Sequence, residues 1–257
     1  MISCTNDDTY EEGNGNASLN PEPPVINYSV VNVFPHDTAA FTEGLLVYNG
    51  QLYESTGGQP QENNFKSWIG LIDLKTGKAI KKVMLDTVYF GEGISVLNGK
   101  IYQLTWKNQK GFVYDAKSLK KLKEFSYTGQ GWSLTNDGHS LIMSDGSNKL
   151  QYLNPDTLTV VKIVGVEDNN GPVGNINELE HIKGFIYANQ WNTSYILKID
   201  PASGKVMGKL DFSSLDNEVK VKHPQALEMN GIAYDSAANK IYVTGKAWPN
   251  LYEIKFD

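Results

Sequence analysis

Hydrophobic and polar residues alternate along most of the chain from residue 25 onward, and Asn-Gly, Asp-Gly and Thr-Gly pairs interrupt the alternation. Alternation with a period of two is typical of β-strands that bury one face, and these dipeptides are typical of the tight turns between paired strands. Because apolar residues alternate almost everywhere, the pattern predicts an all-β protein without helical structure of consequence.

One segment of the sequence recurs five times, in copies that begin at residues 44, 93, 132, 179 and 231. The first copy reads GLLVYNGQLYEST and the second reads GISVLNGKIYQLT, and each copy contains two strands joined by a tight turn. The copies start 49, 39, 47 and 52 residues apart, which is typical of the blades of a β-propeller rather than of solenoid repeats.

Four of the copies are followed by a second pair of strands, over residues 69–85, 111–127, 150–166 and 196–212, so that each repeat supplies the four strands of a blade. The fifth copy ends one strand short, and the alternating segment 25–34 can supply the missing strand. Pairing of the N- and C-terminal strands would close the ring and remove its open edges. The sequence therefore predicts a five-bladed β-propeller over residues 25–257.

Residues 1–24 are polar, acidic and rich in Asn, Gly and Pro, which predicts a flexible arm in front of the propeller. Cys4 in this arm resembles the acylated cysteine of a bacterial lipoprotein, which a polar tether follows. That interpretation predicts a lipid anchor at Cys4 and a location in the bacterial cell envelope, either in the periplasm or at the outer membrane. The alternative is an ordinary cysteine in a disordered leader.

The composition of the 257 residues excludes several classes of function. The net charge of −6 disfavours a nucleic acid or an anionic membrane surface as partner. All 23 basic residues are lysines, so the bidentate guanidinium clamp of arginine is excluded. A single cysteine excludes an internal disulfide and a cysteine-based metal site. The apolar runs are too short for a membrane-spanning helix.

Polar and aromatic residues recur where each repeat enters its innermost strand, and in a propeller these points surround one mouth of the central channel. The first two copies open with Phe-Thr-Glu-Gly at 41–44 and Phe-Gly-Glu-Gly at 90–93. The other openings and the far ends of the second strands add Trp106, Trp132, Asn177, Trp191, Asn230, Lys246 and Trp248. Each alone is compatible with core packing or a solvated turn, but the shared register predicts one common site.

A carboxyl group within an aromatic setting has a raised pKa, because burial disfavours its charged form, and this makes Glu43 and Glu92 candidates for general acid–base chemistry. Other catalytic patterns fail, since the chain has neither a phosphate-binding Gly-rich loop nor a Gly-x-Ser-x-Gly motif. The four histidines lack the spacing of metal ligands, which disfavours a catalytic zinc and predicts surface or turn positions for His36, His139, His181 and His223.

Across residues 34–256 these motifs, together with Leu-Thr-Trp-Lys at 104–107, Asn-Glu-Leu-Glu at 177–180 and Thr-Gly-Lys-Ala-Trp-Pro at 244–249, resemble the plant- and bacterial-type glutaminyl-peptide cyclotransferases. The resemblance implies a five-bladed propeller that converts N-terminal glutaminyl residues of peptides into pyroglutamate and releases ammonia. It implies no required cofactor and leaves open a structural calcium ion held in the channel largely by backbone carbonyls. We also expect the protein to be a monomer.

The resemblance also implies roles for individual residues. Glu92 corresponds to the central proton-transfer residue. Glu43 stands where plant members have Gln, and this departure leaves two roles open for Glu43, a second proton carrier or an anchor for the substrate amine. We hypothesise that Glu43 holds the substrate amine and that Lys246 and Asn177 polarise the amide oxygen. The residues expected to form the walls of the pocket are Phe41, Phe90, Trp106, Trp132, Trp191 and Trp248.

Two other classes of function remain open at the level of sequence. One is a cell-envelope propeller that binds a peptide or glycan at the same mouth without turnover. The other is a lactonase-like hydrolase, which would need a calcium cage of several carboxylates; near the channel only Glu43, Glu92 and one of Glu178 or Glu180 are expected.

Overall fold

The computed structural model describes residues 21–58 and 64–256 and contains five four-stranded antiparallel sheets. The first strand is β1 (Tyr28–Pro35). Blade 1 consists of β2 (Thr42–Tyr48), β3 (Gln51–Thr56), β4 (Trp68–Asp73) and β5 (Lys78–Met84). Blade 2 consists of β6 (Gly91–Leu97), β7 (Lys100–Thr105), β8 (Lys110–Asp115) and β9 (Lys121–Ser126).

Blade 3 consists of β10 (Ser133–Asn136), β11 (Leu141–Ser144), β12 (Lys149–Leu153) and β13 (Val160–Gly165). A two-stranded hairpin, β14 (Glu167–Asp168) and β15 (Gly171–Pro172), leads to blade 4. Blade 4 consists of β16 (Ile176–Ile182), β17 (Phe185–Gln190), β18 (Tyr195–Ile199) and β19 (Val206–Asp211). Helix α1 (Ser213–Lys222) precedes β20 (Met229–Asp235), β21 (Lys240–Gly245) and β22 (Asn250–Phe256) of blade 5.

The five innermost strands form a closed ring around a central channel, because β2, β6, β10, β16 and β20 contact one another in that order and β20 returns to β2. Blade 5 is completed by β1, which pairs antiparallel with β22 from Tyr28 opposite Phe256 to Pro35 opposite Asn250. The prediction of a five-bladed propeller closed by the two chain termini is therefore confirmed.

The hydrophobic core is divided into five clusters, and each fills the space between two adjacent blades. The cluster between blades 1 and 2, for example, joins Leu46 and Tyr53 to Ile94 and Ile101. This arrangement explains the alternation in the sequence, because each strand of a blade presents one set of alternate residues to each neighbouring blade. The residues at the ends of the inner strands surround the mouths of the channel.

Two features differ from the sequence-based expectation of the fold. Helix α1 was not predicted, because its ten residues are mostly polar and only Asp216 and Val219 are buried. Val219 packs into the cluster between blades 4 and 5, and the pair Lys220–Asp216 (2.9 Å) stabilises the helix at i,i+4 spacing. The predicted arm also ends earlier than Pro24, because the Pro24 carbonyl accepts the Lys209 amide of β19 at 2.9 Å.

Cys4 and its lipid anchor fall outside the described residues, so the anchor and the cell-envelope location stay predictions, as does the monomeric state. Within residues 21–58 and 64–256, no helix has the length and apolar character needed to cross a membrane.

Candidate active site

The inner strands of four blades carry a β-bulge at the start of the strand. The register shifts lie between Thr42 and Gly44, Gly91 and Ile94, Ile176 and Leu179, and Met229 and Ile232. A bulge inserts an extra residue that is left out of the ladder and aims its side chain in a new direction. Glu43, Glu92, Asn177 and Asn230 all lie within these shifts, so the repeat of the bulge places one polar residue from each of four blades at the same end of the channel.

Close packing of the inner strands depends on the glycine that follows each of the two glutamates. A Cβ atom on Gly93 would lie 2.3 Å from the Cα of Ser133 in blade 3, and one on Gly44 would lie 2.8 Å from the Cα of Gly93. Only glycine therefore allows blades 1, 2 and 3 to approach this closely. The Glu-Gly pairs in the sequence reflect this packing as well as the chemistry of the glutamates.

Glu43 and Lys246 form a buried ion pair at the centre of the site. The Lys246 Nζ atom lies 2.9 Å from Glu43 Oε1, with the side chains only 7% and 4% exposed. The amide of Asn230 donates to Glu43 Oε2 at 3.2 Å and to the backbone carbonyl of Thr42 at 3.0 Å. Both oxygens of Glu43 are thus held, which orients the carboxylate. The sequence placed Asn230 at a blade opening but assigned it no role, and the structure shows that it holds Glu43.

Burial and mutual charge perturb all three ionisable groups. Burial raises the pKa of Glu43 to about 7 against the opposing effect of Lys246. Burial also raises the pKa of Glu92 well above its ordinary value; the charge of Glu43 raises it further and that of Lys246 lowers it. For Lys246, burial acts to lower the pKa, but Glu43 and Glu92 outweigh it and the pKa is raised. Lys246 therefore stays charged, and the two carboxyl groups titrate at a higher pH than exposed carboxyl groups do.

Six aromatic rings lie beside the ionisable cluster, in two groups that we call the aromatic arc. The first group runs from Phe65 through Phe41 and Phe90 to Trp106, with successive centroids 5.1, 5.8 and 5.8 Å apart. The second group is the T-shaped pair of Trp132 and Trp191, 5.6 Å apart. Phe65 was missed in the sequence, because it lies outside the repeated openings.

The aromatic arc contacts the ionisable cluster, and one polar residue links its two groups of rings. The Lys246 Nζ atom lies 4.5 Å from the Phe41 ring centroid, within the range of a cation–π interaction. The side-chain oxygen of Gln130 accepts the indole N–H groups of both Trp106, at 2.8 Å, and Trp132, at 2.9 Å. Gln130 thus joins the two groups of rings. The sequence contained no indication of this residue.

Asn177 is buried at the equivalent position of blade 4. Its backbone carbonyl accepts the Ser144 hydroxyl at 2.7 Å, and its side-chain oxygen has no protein partner among the described residues. The residue of blade 1 that corresponds to Ser144 is Ser55, whose hydroxyl donates to the backbone carbonyl of Glu92 at 2.5 Å. The second strand of one blade therefore fixes the backbone of the polar residue in the next.

Glu178 and Glu180 point to different partners and do not join the cluster of Glu43 and Glu92. Glu178 accepts the backbone amides of Leu45 at 3.3 Å and Ile232 at 2.9 Å, which ties blade 4 to blades 1 and 5. Glu180 accepts the Tyr234 amide at 2.9 Å and lines a cavity of about 500 Å³ at the opposite end of the channel. Both carboxyl groups therefore hold blade 4 to its neighbours in the ring.

The structure overturns the predicted pocket position of Trp248. This tryptophan is fully buried in the core between blades 4 and 5, and its indole N–H donates to the Leu227 carbonyl at 3.0 Å. The ring follows a turn in which Ala247 has a φ of 57°, and that turn separates it from Lys246. Trp248 anchors the loop that carries Lys246 instead of lining the pocket.

The predicted surface or turn position of His36 is also wrong. His36 is buried, with its ring nitrogens 2.7 Å from the Trp248 carbonyl and 3.0 Å from Glu54 Oε1. It therefore supports the same loop. His139 and His223 are exposed, as predicted, whereas His181 is half-buried beside the cavity at the opposite channel end.

No group of three or more His, Cys, Asp or Glu residues in the described chain is arranged to hold a metal ion. The carboxylate cage of a lactonase-like propeller is therefore missing from this part of the molecule. The expectation of a channel calcium ion held by backbone carbonyls stays a prediction.

Comparison with known proteins agrees with the architecture and the motifs. The family model described as glutamine cyclotransferase matches residues 3–256. A glutaminyl-peptide cyclotransferase of Arabidopsis thaliana is 38% identical over 242 residues, which cover 93% of this chain and 74% of that protein. The crystal structure of Myxococcus xanthus glutaminyl cyclase superposes with a TM-score of 0.84 at 35% identity, covering 92% of this chain and 99% of that one. The chain therefore belongs to the glutamine cyclotransferase family.

Proposed function

We propose that this protein converts the N-terminal glutaminyl residue of peptides into pyroglutamate with release of ammonia, and that Glu92 relays the proton. The observation that carries the proposal is the buried group of Glu92, Glu43 and Lys246 at a mouth lined by aromatic rings. Membership of the family supports the reaction, and the geometry supports the assignment of the proton relay.

The reaction needs one proton transfer between two nitrogens. The α-amine attacks the side-chain carbonyl, a C–N bond closes the five-membered ring, and the bond to the side-chain nitrogen breaks. The attacking nitrogen must lose a proton and the departing nitrogen must gain one, so that ammonia leaves and no co-reactant is consumed. A carboxyl that accepts the first proton and donates it to the leaving group serves both steps. Glu92, with its raised pKa, is suited to this exchange near neutral pH.

The other residues position the substrate and stabilise charge. Glu43, held by Lys246 and Asn230, presents a fixed carboxylate to the substrate amine. Lys246 supplies positive charge for the oxyanion that forms when the amide carbonyl is attacked. The side chain of Asn177 is available for the amide group of the substrate. The aromatic arc packs against the glutaminyl side chain and excludes water, which favours attack by the amine over hydrolysis.

A coupled assay of ammonia release tests this function. We expect turnover of a peptide that begins with Gln, with a mass loss of one ammonia, and no turnover of the matched peptides that begin with Asn or with N-acetylated Gln. The acetylated peptide keeps the side chain but removes the nucleophile. Binding of the Gln peptide without ammonia release would overturn the proposal and point to a propeller that only binds its peptide.

The acid limb of the pH profile should report the coupling between the two glutamates. Because the charge of Glu43 raises the pKa of Glu92, the Glu43→Gln variant should lower that pKa and move the acid limb of kcat to lower pH. The maximum rate should fall as well, since the carboxylate facing the amine is lost. The exposed Glu124, paired with Lys110 on blade 2, provides the control, because Glu124→Gln should leave the limb in place. An unmoved limb in Glu43→Gln would contradict the electrostatic coupling.

A further inference from the structure

The two tryptophans nearest the middle of the aromatic arc share a single hydrogen-bond acceptor. An indole N–H can only donate, and a carboxamide oxygen has two lone pairs. The oxygen of Gln130 uses them on Trp106 and Trp132, at 2.8 and 2.9 Å. The two donors also determine which atom of the amide faces the rings, because the NH₂ group cannot accept either bond.

We infer that Gln130 is a positioning residue that sets the orientation of Trp106 and Trp132 for packing against the glutaminyl side chain of the substrate. This inference rests on the proposed function. Trp106 follows the second strand of blade 2 and Trp132 precedes the first strand of blade 3, so the shared bond spans two blades. No other hydrogen bond of the described residues joins these two rings.

The backbone around Gln130 is itself fixed to both blades. The Gly131 amide donates to the Trp106 carbonyl at 3.2 Å, and the Trp132 amide donates to the Ser144 carbonyl at 3.0 Å. A Cβ atom on Gly131 would lie 2.7 Å from the hydroxyl of Tyr127, so this segment has little room to shift. The amide oxygen is therefore presented from a rigid position, as a positioning residue requires.

The two rings also make ring contacts, and Trp106 packs against Phe90 with centroids 5.8 Å apart. The Nζ atom of Lys107 lies 3.5 Å from the Trp106 ring centroid, and Trp132 contacts Trp191. Both Trp106 and Trp132 are partly exposed, and Gln130 is exposed, so the hydrogen bonds contribute little to folding. The hydrogen bonds mainly fix the orientation of the two rings before the substrate binds. Loss of that order should weaken binding and leave the chemical step intact.

The test compares Gln130→Leu, which removes the acceptor, with Gln130→Glu, which keeps an acceptor oxygen at the same reach. For a Gln-initiated peptide, we expect Gln130→Leu to raise KM about tenfold with kcat within about twofold, because two side chains must be ordered on binding. Gln130→Glu should restore most of the affinity. Gln51→Leu is the control, since Gln51 is an exposed residue at the start of β3, at the other end of blade 1.

The indole ¹H–¹⁵N resonances provide a readout that does not depend on turnover. The chain has five tryptophans, and in Gln130→Leu the signals of Trp106 and Trp132 should move while those of Trp68 and Trp248, which contact neither ring, stay close to their positions. Unchanged indole signals, an unchanged KM, or equal losses of kcat and melting temperature in both Gln130 variants would overturn the inference. Absence of turnover in the unaltered protein would instead refute the proposed function, and the spectra would still test the shared hydrogen bond.

Discussion

The Glu92→Gln variant should lose at least about 10²-fold in kcat, which is the usual contribution of a positioned acid–base group. The substitution keeps the shape of the side chain and its hydrogen-bonding capacity but removes the exchangeable proton. KM for a Gln-initiated peptide should change little, because the aromatic arc and the Glu43–Lys246 pair stay in place. Steady-state ammonia release at saturating peptide measures the effect.

Loss of folding is not expected to explain this result. Burial disfavours the charged form of Glu92 and raises its pKa, and glutamine carries no charge that must be buried. The melting temperature of Glu92→Gln should therefore equal or exceed that of the unaltered protein. Glu180→Gln is the matched control, because it makes the same change in a carboxyl at the opposite channel end, and it should retain kcat. Near-native turnover by Glu92→Gln would remove Glu92 from the mechanism.

The fold could be predicted to a high degree because a propeller repeats one unit. The four predicted outer pairs begin and end within one residue of the observed ones, from 69–85 against Trp68–Met84 to 196–212 against Tyr195–Asp211. The incomplete fifth copy correctly indicated that β1 completes blade 5. Helix α1 escaped prediction because its stability depends on Val219 packing between two blades and not on an amphipathic pattern.

The site was predictable where the repeat determines position and unpredictable where side-chain packing does. Glu43, Glu92 and Asn177 lie at equivalent bulges, so their register alone indicated a common location. Trp248 shares a loop with Lys246, but the left-handed Ala247 between them sends the two side chains to different environments, which no spacing rule reveals. Gln130 has its effect only through two rings that are distant from each other in sequence.

The Lys246→Met variant should lose stability at high pH, by about 1.4 kcal/mol at pH 8 relative to the unaltered protein, because it leaves a buried carboxyl group without its ionic partner. The loss should depend on pH. Without Lys246, the folded-state pKa of Glu43 rises further above the value of 4.5 that it has when exposed. The unpaired group can then be buried only as the neutral acid. In the unaltered protein the cost of protonating Glu43 stops growing near pH 7, whereas in the variant it grows by about 1.4 kcal/mol for each further pH unit. Stability should be close to native at pH 5 and fall as pH rises toward 8.

Two further variants separate the charge effect from simple loss of packing. In Glu43→Gln/Lys246→Met the buried acid is absent, so the free energy of unfolding should recover at pH 8 while turnover stays low. Lys110→Met breaks an exposed pair with Glu124 that has the same 2.9 Å separation, and it should cost no more than about 1 kcal/mol with little pH dependence. Urea unfolding of all four proteins at pH 5 and pH 8 measures these differences. An equal loss at both pH values in Lys246→Met would show that its side chain acts through packing and that the Glu43–Lys246 pair does not control the charge of the site.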